Sequence, residues 1–306
     1  MASTPTLLDK NKIEEILASK ETFMFDCDGV VWKQSTVYPQ VPEFLRHLRN
    51  LGKKIFFISN NNSKSRRQYL EKFSRLGIEA KEDEIYSSAS VAVYYIKHLA
   101  KLEGKVYVMG CPGLVEELDK EHIPHIGFGP DEVRWDEFDR NEGFELDPEV
   151  NCVLHGFDPY YNYSKIRKAV NYLAKGTVQF IATNKDMKTP SVGDLIIPGT
   201  GCLVTATEIA AERKATVVGK PETLIMDCIV HQHKIDPQKA CMFGDNIHTD
   251  IEFGNRCNSS TVLVLTGVST LVDVEAEQRL SDSRERNMKI PEFYIDSLTE
   301  FYNLIK

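Results

Sequence analysis

Short apolar runs recur along this 306-residue chain, and each is followed by a segment long enough for a helix. In one example the apolar run 55–58 leads into the polar residues 59–63, and the next amphipathic segment stops at Gly77. Apolar runs of about four to eight residues between polar breaks indicate buried strands. Strands and helices at this spacing predict right-handed βαβ units, an α/β fold with a parallel sheet, and functional groups at the carboxyl ends of the strands.

The stretch Phe23–Trp32 contains an apolar run that ends in Asp26 and Asp28, with Gly29 immediately after them. Alternate residues of an extended chain point to the same side, so both carboxylates can face one site. Two like charges this close repel unless a cation lies between them or one is protonated. The pair therefore indicates either a Mg²⁺ site or acid–base chemistry, and the plainer alternative is an acidic turn after a strand.

Three further apolar runs end in polar residues of other kinds. These residues are Ser59, Asn60 and Asn61 after the first run, Lys220 after the second, and Asp245 with Asp250 after the third. Taken singly, each has a structural explanation as a helix cap, a loop lysine or a capping pair. Their joint occurrence at four predicted strand ends favours one common site.

In this order the four groups resemble the motifs of the haloacid dehalogenase superfamily of phosphohydrolases, which are Asp-x-Asp, Ser/Thr, Lys and Gly-Asp-x-x-x-x-Asp. The resemblance covers nearly the whole chain and implies a Rossmann-like parallel-sheet core with a large α/β cap inserted between the second and third motifs. The long gap fits there, because Ser59 and Lys220 are 161 positions apart (220 − 59) and Asp28 and Ser59 only 31 (59 − 28). The predicted domains are a core at 1–101, a cap at 102–213 and the rest of the core at 214–306.

The predicted cap also resembles the cap of the phosphoglycolate, pyridoxal phosphate and 4-nitrophenyl phosphate phosphatases. The matching residues are Phe157–Asp158, Tyr163, Lys165, Thr183–Asn184, Asp186 and Pro198–Gly201. This resemblance implies Mg²⁺-dependent hydrolysis of a small phosphorylated metabolite, and a homodimer joined through the caps.

The resemblance gives each group an expected role. Asp26 is expected to attack phosphorus and form an aspartyl-phosphate, while Asp28 donates a proton to the leaving oxygen and then deprotonates water. The expected phosphate ligands are the amides of Gly29 and Val30, with Ser59, Asn60, Asn61 and Lys220. The expected Mg²⁺ ligands are Asp26, the Asp28 carbonyl and Asp245, and Asp250 is expected to orient Lys220.

Substrate choice is expected to rest with the segment 184–190. Lys188 and Thr189 stand where the pyridoxal phosphatase relatives have an aromatic–histidine pair, and a cation is more like the phosphoglycolate-type members. Lys188 or Lys185 can pair with the carboxylate of phosphoglycolate or phospholactate, or be a solvated lysine. The alternatives are a pyridoxal phosphate phosphatase, a protein phosphatase and a non-catalytic phospho-ligand binder. The binder is disfavoured because both carboxylates are retained, and a carboxylate facing a dianionic phosphate would not improve binding.

Composition excludes several other classes. The formal net charge of −8 argues against a nucleic-acid partner, and the absence of any 18-residue apolar run argues against membrane insertion. The seven cysteines are scattered without a Cys-x-x-Cys pair, which indicates a reduced, cytoplasmic setting. Cys27, between the two acids, is expected to be packed rather than redox-active.

Overall fold

The computed structural model describes residues 4–131, 144–189, 195–280 and 288–306. Its strands in these ranges are β1 (Thr6–Leu7), β2 (Thr22–Asp26), β3 (Trp32–Lys33), β4 (Thr36–Val37), β5 (Lys54–Ser59), β6 (Ile85–Ser87), β7 (Lys105–Met109), β8 (His125–Ile126), β9 (Val150–His155), β10 (Gln179–Ala182), β11 (Lys188–Thr189), β12 (Ile197–Pro198), β13 (Thr216–Val217), β14 (Ala240–Gly244), β15 (Ser260–Val264) and β16 (Phe293–Ile295).

Helices alternate with most of these strands. They are α1 (Lys10–Ser19), α2 (Val41–Asn50), α3 (Arg66–Arg75), α4 (Ser88–Tyr94), α5 (Pro112–Lys120), α6 (Tyr163–Leu173), α7 (Thr200–Ala211), α8 (Leu224–His233), α9 (Glu252–Arg256), α10 (Leu271–Arg279) and α11 (Leu298–Asn303). Two π-helical turns, Tyr95–Leu99 and Ile247–Ile251, extend α4 and precede α9. No helix in the described part of the chain is both long and apolar enough to cross a membrane.

The chain divides into two compact units. The first comprises the chain up to Ser59 with Arg67–Tyr86 and Lys220–Lys306, and the second comprises Asn60–Arg66 and Ser87–Gly219. The predicted boundaries, after residues 101 and 213, differ from these. The predicted core, which ends at residue 101, includes α4 and the π-helical turn after it. In the structure these two elements make their contacts with the second unit.

The segment Asn60–Arg66 joins the second unit because its side chains bond there. Asn62 donates to the Asn184 side chain at 2.9 Å and accepts from the Phe157 amide at 3.0 Å. Arg66 forms an ion pair at 2.7 Å with Glu117, whose side chain is buried. None of these long-range contacts can be inferred from the spacing of the motifs.

The first unit is built on a seven-stranded sheet in the order β1-β16-β15-β14-β2-β5-β6. The pairs from β1 through to β5 are all parallel. Every residue of β2 and β14 is buried, as expected for strands covered on both faces. Phe25 of β2 stacks on Phe243 of β14 with ring centroids 5.1 Å apart.

The second unit has its own five-stranded parallel sheet, in the order β13-β10-β9-β7-β8. Its core includes Tyr107 and Tyr172, whose rings lie 5.1 Å apart. A short antiparallel pair, β11 and β12, completes the unit. The predicted fold class is confirmed: a parallel α/β core with a second α/β unit inserted in the chain between Ser59 and Lys220.

One prediction about the Lys220 region is wrong. The strand before Lys220, β13, pairs with β10 in the second unit's sheet and is not a strand of the core sheet. The specificity segment predicted at 184–190 lies partly outside the described residues.

Candidate active site

Three neighbouring strands bring the predicted acids and the serine to one edge of the sheet. Asp26 ends β2, Ser59 ends β5, and Asp245 directly follows β14. The strands lie side by side in the order β14-β2-β5, all parallel, so their carboxyl ends share an edge. All three residues are buried, at 8%, 5% and 4% exposure.

A cluster of three buried carboxylates forms at this edge. Asp26, Asp245 and Asp250 each offer one oxygen, and these oxygens all lie within 4.8 Å of one another. The Lys220 ammonium lies 2.5 Å from Oδ1 of Asp26 and 2.6 Å from Oδ1 of Asp250, and also donates to the Ile58 carbonyl at 3.3 Å. Lys220 thus joins two acids that are far from it in sequence.

Burial and mutual repulsion shift the pKa values of this cluster. Burial raises the pKa of Asp26 well above its ordinary value, with Asp250 and Asp245 adding to the rise and Lys220 opposing it. Burial, followed by the charge of Asp250, raises the pKa of Asp245 to about 7. Burial alone would lower the pKa of Lys220, but Asp250 and Asp26 together raise it above its ordinary value.

The cluster fits a divalent cation. Three carboxylates face a single ammonium, so the fully ionised site lacks positive charge, and an all-oxygen donor set suits Mg²⁺. Asp250 is already engaged, because Oδ1 accepts from Lys220 and Oδ2 accepts from the amides of Asp245 and Asn246. Asp26 and Asp245 therefore remain as the side chains that could hold the ion.

Gly29 allows Asp245 to approach the turn after β2. Its φ of +97° lies in the left-handed region, and a Cβ at this position would overlap the Asp245 carboxylate. The Gly29 amide donates to the Trp32 carbonyl at 2.8 Å. That amide is therefore engaged within its own turn, and its role as a phosphate ligand stays a prediction.

The loop Thr266–Ser269 holds Asp245 and was not singled out from the sequence. The Val268 amide donates to Asp245 Oδ2 at 2.9 Å, and the Ser269 amide donates to the Asp245 carbonyl at 2.8 Å. A Cβ at Gly267 would overlap the same carboxylate. The sequence signal that could have indicated this loop is Gly267, shortly after the buried strand β15. A glycine near a strand can mark a place where another group approaches the backbone closely.

Asp28 and Ser59 each have a specific partner. The Trp32 indole N–H donates to Asp28 Oδ1 at 2.8 Å, and the Asp28 side chain remains 36% exposed. The Tyr69 hydroxyl donates to Ser59 Oγ at 3.0 Å. Cys27 between the acids is buried, and burial raises the pKa of its thiol, as expected for a packed rather than a reactive cysteine.

The remaining predicted residues belong to the second unit. Asn60 donates to Asp186 at 2.9 Å, and Asn61 accepts from the Ser63 amide at 2.9 Å. The Lys185 ammonium bonds the buried Glu208 at 2.7 Å, within the same unit. Lys188 lies exposed on β11.

Two family models match the chain in succession. "Haloacid dehalogenase-like hydrolase" matches residues 23–124, and "HAD-hyrolase-like" matches residues 217–301. The "Glycerol-3-phosphate phosphatase" of Rattus norvegicus is 39% identical over 96% of this chain and 93% of its own length. The chain belongs to the haloacid dehalogenase-like hydrolases.

Other members of these hydrolases support the same assignment. "Phosphoglycolate phosphatase 2" of Arabidopsis thaliana is 36% identical over 99% of both chains. The solved "p-nitrophenyl phosphatase from Archaeoglobus fulgidus" has a TM-score of 0.77 and 30% identity, covering 94% of this chain and all of its own. The predicted family is thus confirmed, and this haloacid dehalogenase-like hydrolase is an enzyme whose named relatives are phosphatases.

Proposed function

We propose that this protein is a Mg²⁺-dependent phosphomonoesterase that forms an aspartyl-phosphate on Asp26. The observation that carries the proposal is the place of Asp26, which is buried at the end of β2, bonded to Lys220, and within 4.8 Å of oxygens of Asp245 and Asp250. A phosphomonoester is a dianion, so a carboxylate can attack it only where positive charge is held close by. Bound Mg²⁺, held by Asp26, Asp245 and the Asp28 carbonyl, would supply that charge together with Lys220.

The reaction then proceeds in two balanced steps. In the first, an oxygen of Asp26 forms a bond to phosphorus while the bond from phosphorus to the leaving oxygen breaks, and Asp28 gives its proton to that oxygen. In the second, Asp28 takes a proton from water, the resulting hydroxide oxygen bonds to phosphorus, and the bond from phosphorus to Asp26 breaks. Inorganic phosphate leaves, and both aspartates return to their starting states.

The Ser59 hydroxyl and the Val30 amide are the proposed donors to the phosphoryl oxygens, along with Lys220. Ser59 is held by Tyr69 and ends the strand beside β2. Asp250 is proposed to orient Lys220, since it bonds both this ammonium and the backbone of the loop that carries Asp245. Asp250 thereby fixes the relative positions of a cation and an acid.

The proposed substrates are small phosphate esters of the kind named in the relatives, glycerol 3-phosphate and phosphoglycolate. Phosphoglycolate carries a carboxylate, and Lys188 is the proposed cation for it, because Lys185 is paired with Glu208. Lys188→Ala should then lower kcat/KM for phosphoglycolate relative to glycerol 3-phosphate. Equal changes for both esters would remove Lys188 from the proposal.

The test of the activity is phosphate release from a panel of esters with and without Mg²⁺, beside Asp26→Asn. The panel includes phosphoglycolate, phospholactate, glycerol 3-phosphate, pyridoxal phosphate and 4-nitrophenyl phosphate. We expect Mg²⁺-dependent turnover that Asp26→Asn abolishes, and ³²P transfer from a labelled ester to wild-type protein only. Turnover that survives in Asp26→Asn would contradict the nucleophile assignment.

A homodimer through the second unit is also proposed. Three consecutive apolar residues that lead into β12 are exposed, including Leu195 at 73% and Ile196 at 75%. Adjacent exposed apolar side chains of this size are typical of protein interfaces. Light scattering of wild type and of Ile196→Asp should give a dimer and a monomer, respectively; two monomers would refute the proposal.

We also propose a cytoplasmic setting. All seven cysteines are free thiols, and all except Cys202 are buried. A reducing compartment is where unpaired thiols in this number are normally found. Imaging of a fluorescent fusion tests the location, and accumulation in the secretory pathway would contradict it.

A further inference from the structure

One face of α3 reaches the ends of both β2 and β5. Tyr69, Lys72 and Phe73 are spaced three and four positions apart, which places them on the same side of a helix. All three are buried. Tyr69 bonds Ser59, and Phe73 packs edge-on against Trp32 with ring centroids 5.0 Å apart.

Lys72 occupies the middle of this face, where a buried lysine needs a specific explanation. Its ammonium lies 3.9 Å from the centroid of the Trp32 ring and 3.7 Å from Oδ1 of Asp28. Its side chain is only 11% exposed. Burying a charged side chain this deeply costs folding free energy unless partners stabilise the charge. Here the ammonium of Lys72 has two such partners, the face of the Trp32 ring and the Asp28 carboxylate.

A hydrogen-bond donor and a cation lie beside the same oxygen of Asp28. The Trp32 indole N–H donates to Oδ1 at 2.8 Å, and the Lys72 ammonium forms an ion pair with Oδ1 at 3.7 Å. The backbone of the turn supports this arrangement, because the Trp32 carbonyl accepts from Gly29 and the Trp32 amide donates to Cys27. Because Oδ1 is held by this hydrogen bond and this ion pair, Oδ2 is the oxygen of Asp28 that is left to meet a leaving group.

We propose that Trp32 and Lys72 are positioning residues that fix Asp28 through Oδ1, so that Oδ2 is the atom that exchanges a proton with the leaving oxygen. Neither residue touches substrate in this proposal. It rests on the proposed function, since it names how the acid of that reaction is held.

The proposal makes the effect of either residue depend on the leaving group. The alkoxide that leaves glycerol 3-phosphate is a poor leaving group and needs the proton of Asp28, whereas 4-nitrophenolate leaves readily without it. A less well positioned Asp28 should therefore lower the rate of hydrolysis of the alkyl ester more than that of the aryl ester. A purely structural role for Lys72 would slow both esters alike.

The experiment compares kcat for glycerol 3-phosphate and 4-nitrophenyl phosphate in Lys72→Met, Lys72→Arg and Trp32→Phe. Lys72→Met keeps the length and the packing but removes the charge, and Trp32→Phe keeps an aromatic ring but removes the N–H. Because positioned acids contribute about 100-fold or more, we expect each to lower kcat about 10-fold for the alkyl ester and less than about 2-fold for the aryl ester. Lys72→Arg should restore most of the alkyl-ester rate.

A double variant tests whether Lys72 acts through Asp28. In an Asp28→Asn background, Lys72→Met should cause no further loss on glycerol 3-phosphate. Arg67→Met, which removes an exposed charge on the same helix, is the matched control and should leave both rates unchanged.

The outcomes separate this proposal from the activity itself. Equal losses on both esters, or a further loss in the Asp28→Asn background, would overturn the positioning roles while wild-type turnover stands. Absence of Mg²⁺-dependent turnover in wild type would refute the proposed function and this proposal with it. If Lys72→Met has a melting temperature well below that of wild type, Trp32→Phe becomes the deciding variant. The proposal is then judged by its ratio of kcat for glycerol 3-phosphate to kcat for 4-nitrophenyl phosphate.

Discussion

Metal-free protein should lose stability as the pH rises from about 4 to about 7, because of Asp245. Burial and the nearby Asp250 raise the pKa of Asp245 from 3.8 to about 7. Within this window the folded protein keeps a proton that the unfolded chain releases, so the free energy of unfolding falls as pH rises. Two pH units at 1.36 kcal/mol each set a limit of about 2.7 kcal/mol, of which about 2.5 kcal/mol is lost between pH 5 and pH 7.5.

The assay is guanidinium unfolding with a chelator present, at about pH 5 and about pH 7.5. Asp245→Asn serves as the reference because other groups titrate in the same range. Burial lowers the pKa of His155 to about 4, and this group alone makes stability rise with pH up to its ordinary value of 6.5. Subtracting the two proteins at each pH cancels the His155 contribution.

We expect the wild type to lose about 2.5 kcal/mol relative to Asp245→Asn between the two pH values. Added Mg²⁺ should stabilise wild type more at the higher pH, where the carboxylates are ionised and can bind it. The reasoning would be refuted by parallel pH profiles of the two proteins, since Asp245 would then titrate normally in the folded state.

Three further substitutions test other parts of the structure. Lys220→Met leaves buried carboxylates without their cation, and at neutral pH it should lower the free energy of unfolding by about 3–5 kcal/mol, measured with denaturant. It should also abolish turnover. Lys220→Arg, which keeps the charge, is the control. Gly29→Ala places a Cβ against Asp245 and should weaken Mg²⁺ binding, seen by calorimetry, more than it lowers stability; unchanged affinity would contradict this. Phe44→Ala empties a fully buried site beside Phe301 and should cost about 3–5 kcal/mol without changing KM.

The sequence predicted the strands that carry the acids because their apolar runs are uninterrupted and end abruptly. The runs before Asp26, Ser59 and Asp245 all became buried parallel strands of one sheet. The strand before Lys220 was misplaced, because a strand of only two residues does not reveal which of two parallel sheets it joins. The lysine nevertheless reaches Asp26, through a contact that only tertiary structure provides.

The parts of the site that the sequence did not reveal depend on contacts between residues that come together only in the folded structure. The turn at Gly267 and the Lys72–Trp32 pair carry no local signal stronger than a glycine in a loop or a lysine on a helix. The helix α1 was also missed, because it buries only Ile13 and Ile16 and shows a weak apolar stripe. The pairing of Lys185 with Glu208 was not predicted, because Glu208 lies on a helix 23 positions away.

The central strand of the core has consequences for how the chain folds as it is made. β2 pairs with β5, close to it in sequence, but its other neighbour is β14, with Thr22 opposite Ala240, 218 positions later (240 − 22). During synthesis the complete sequence of the second unit therefore leaves the ribosome before β2 can gain that neighbour. An apolar strand edge open for so long invites pairing with other chains, so chaperone dependence and aggregation should be concentrated in the N-terminal fragment that ends before β14.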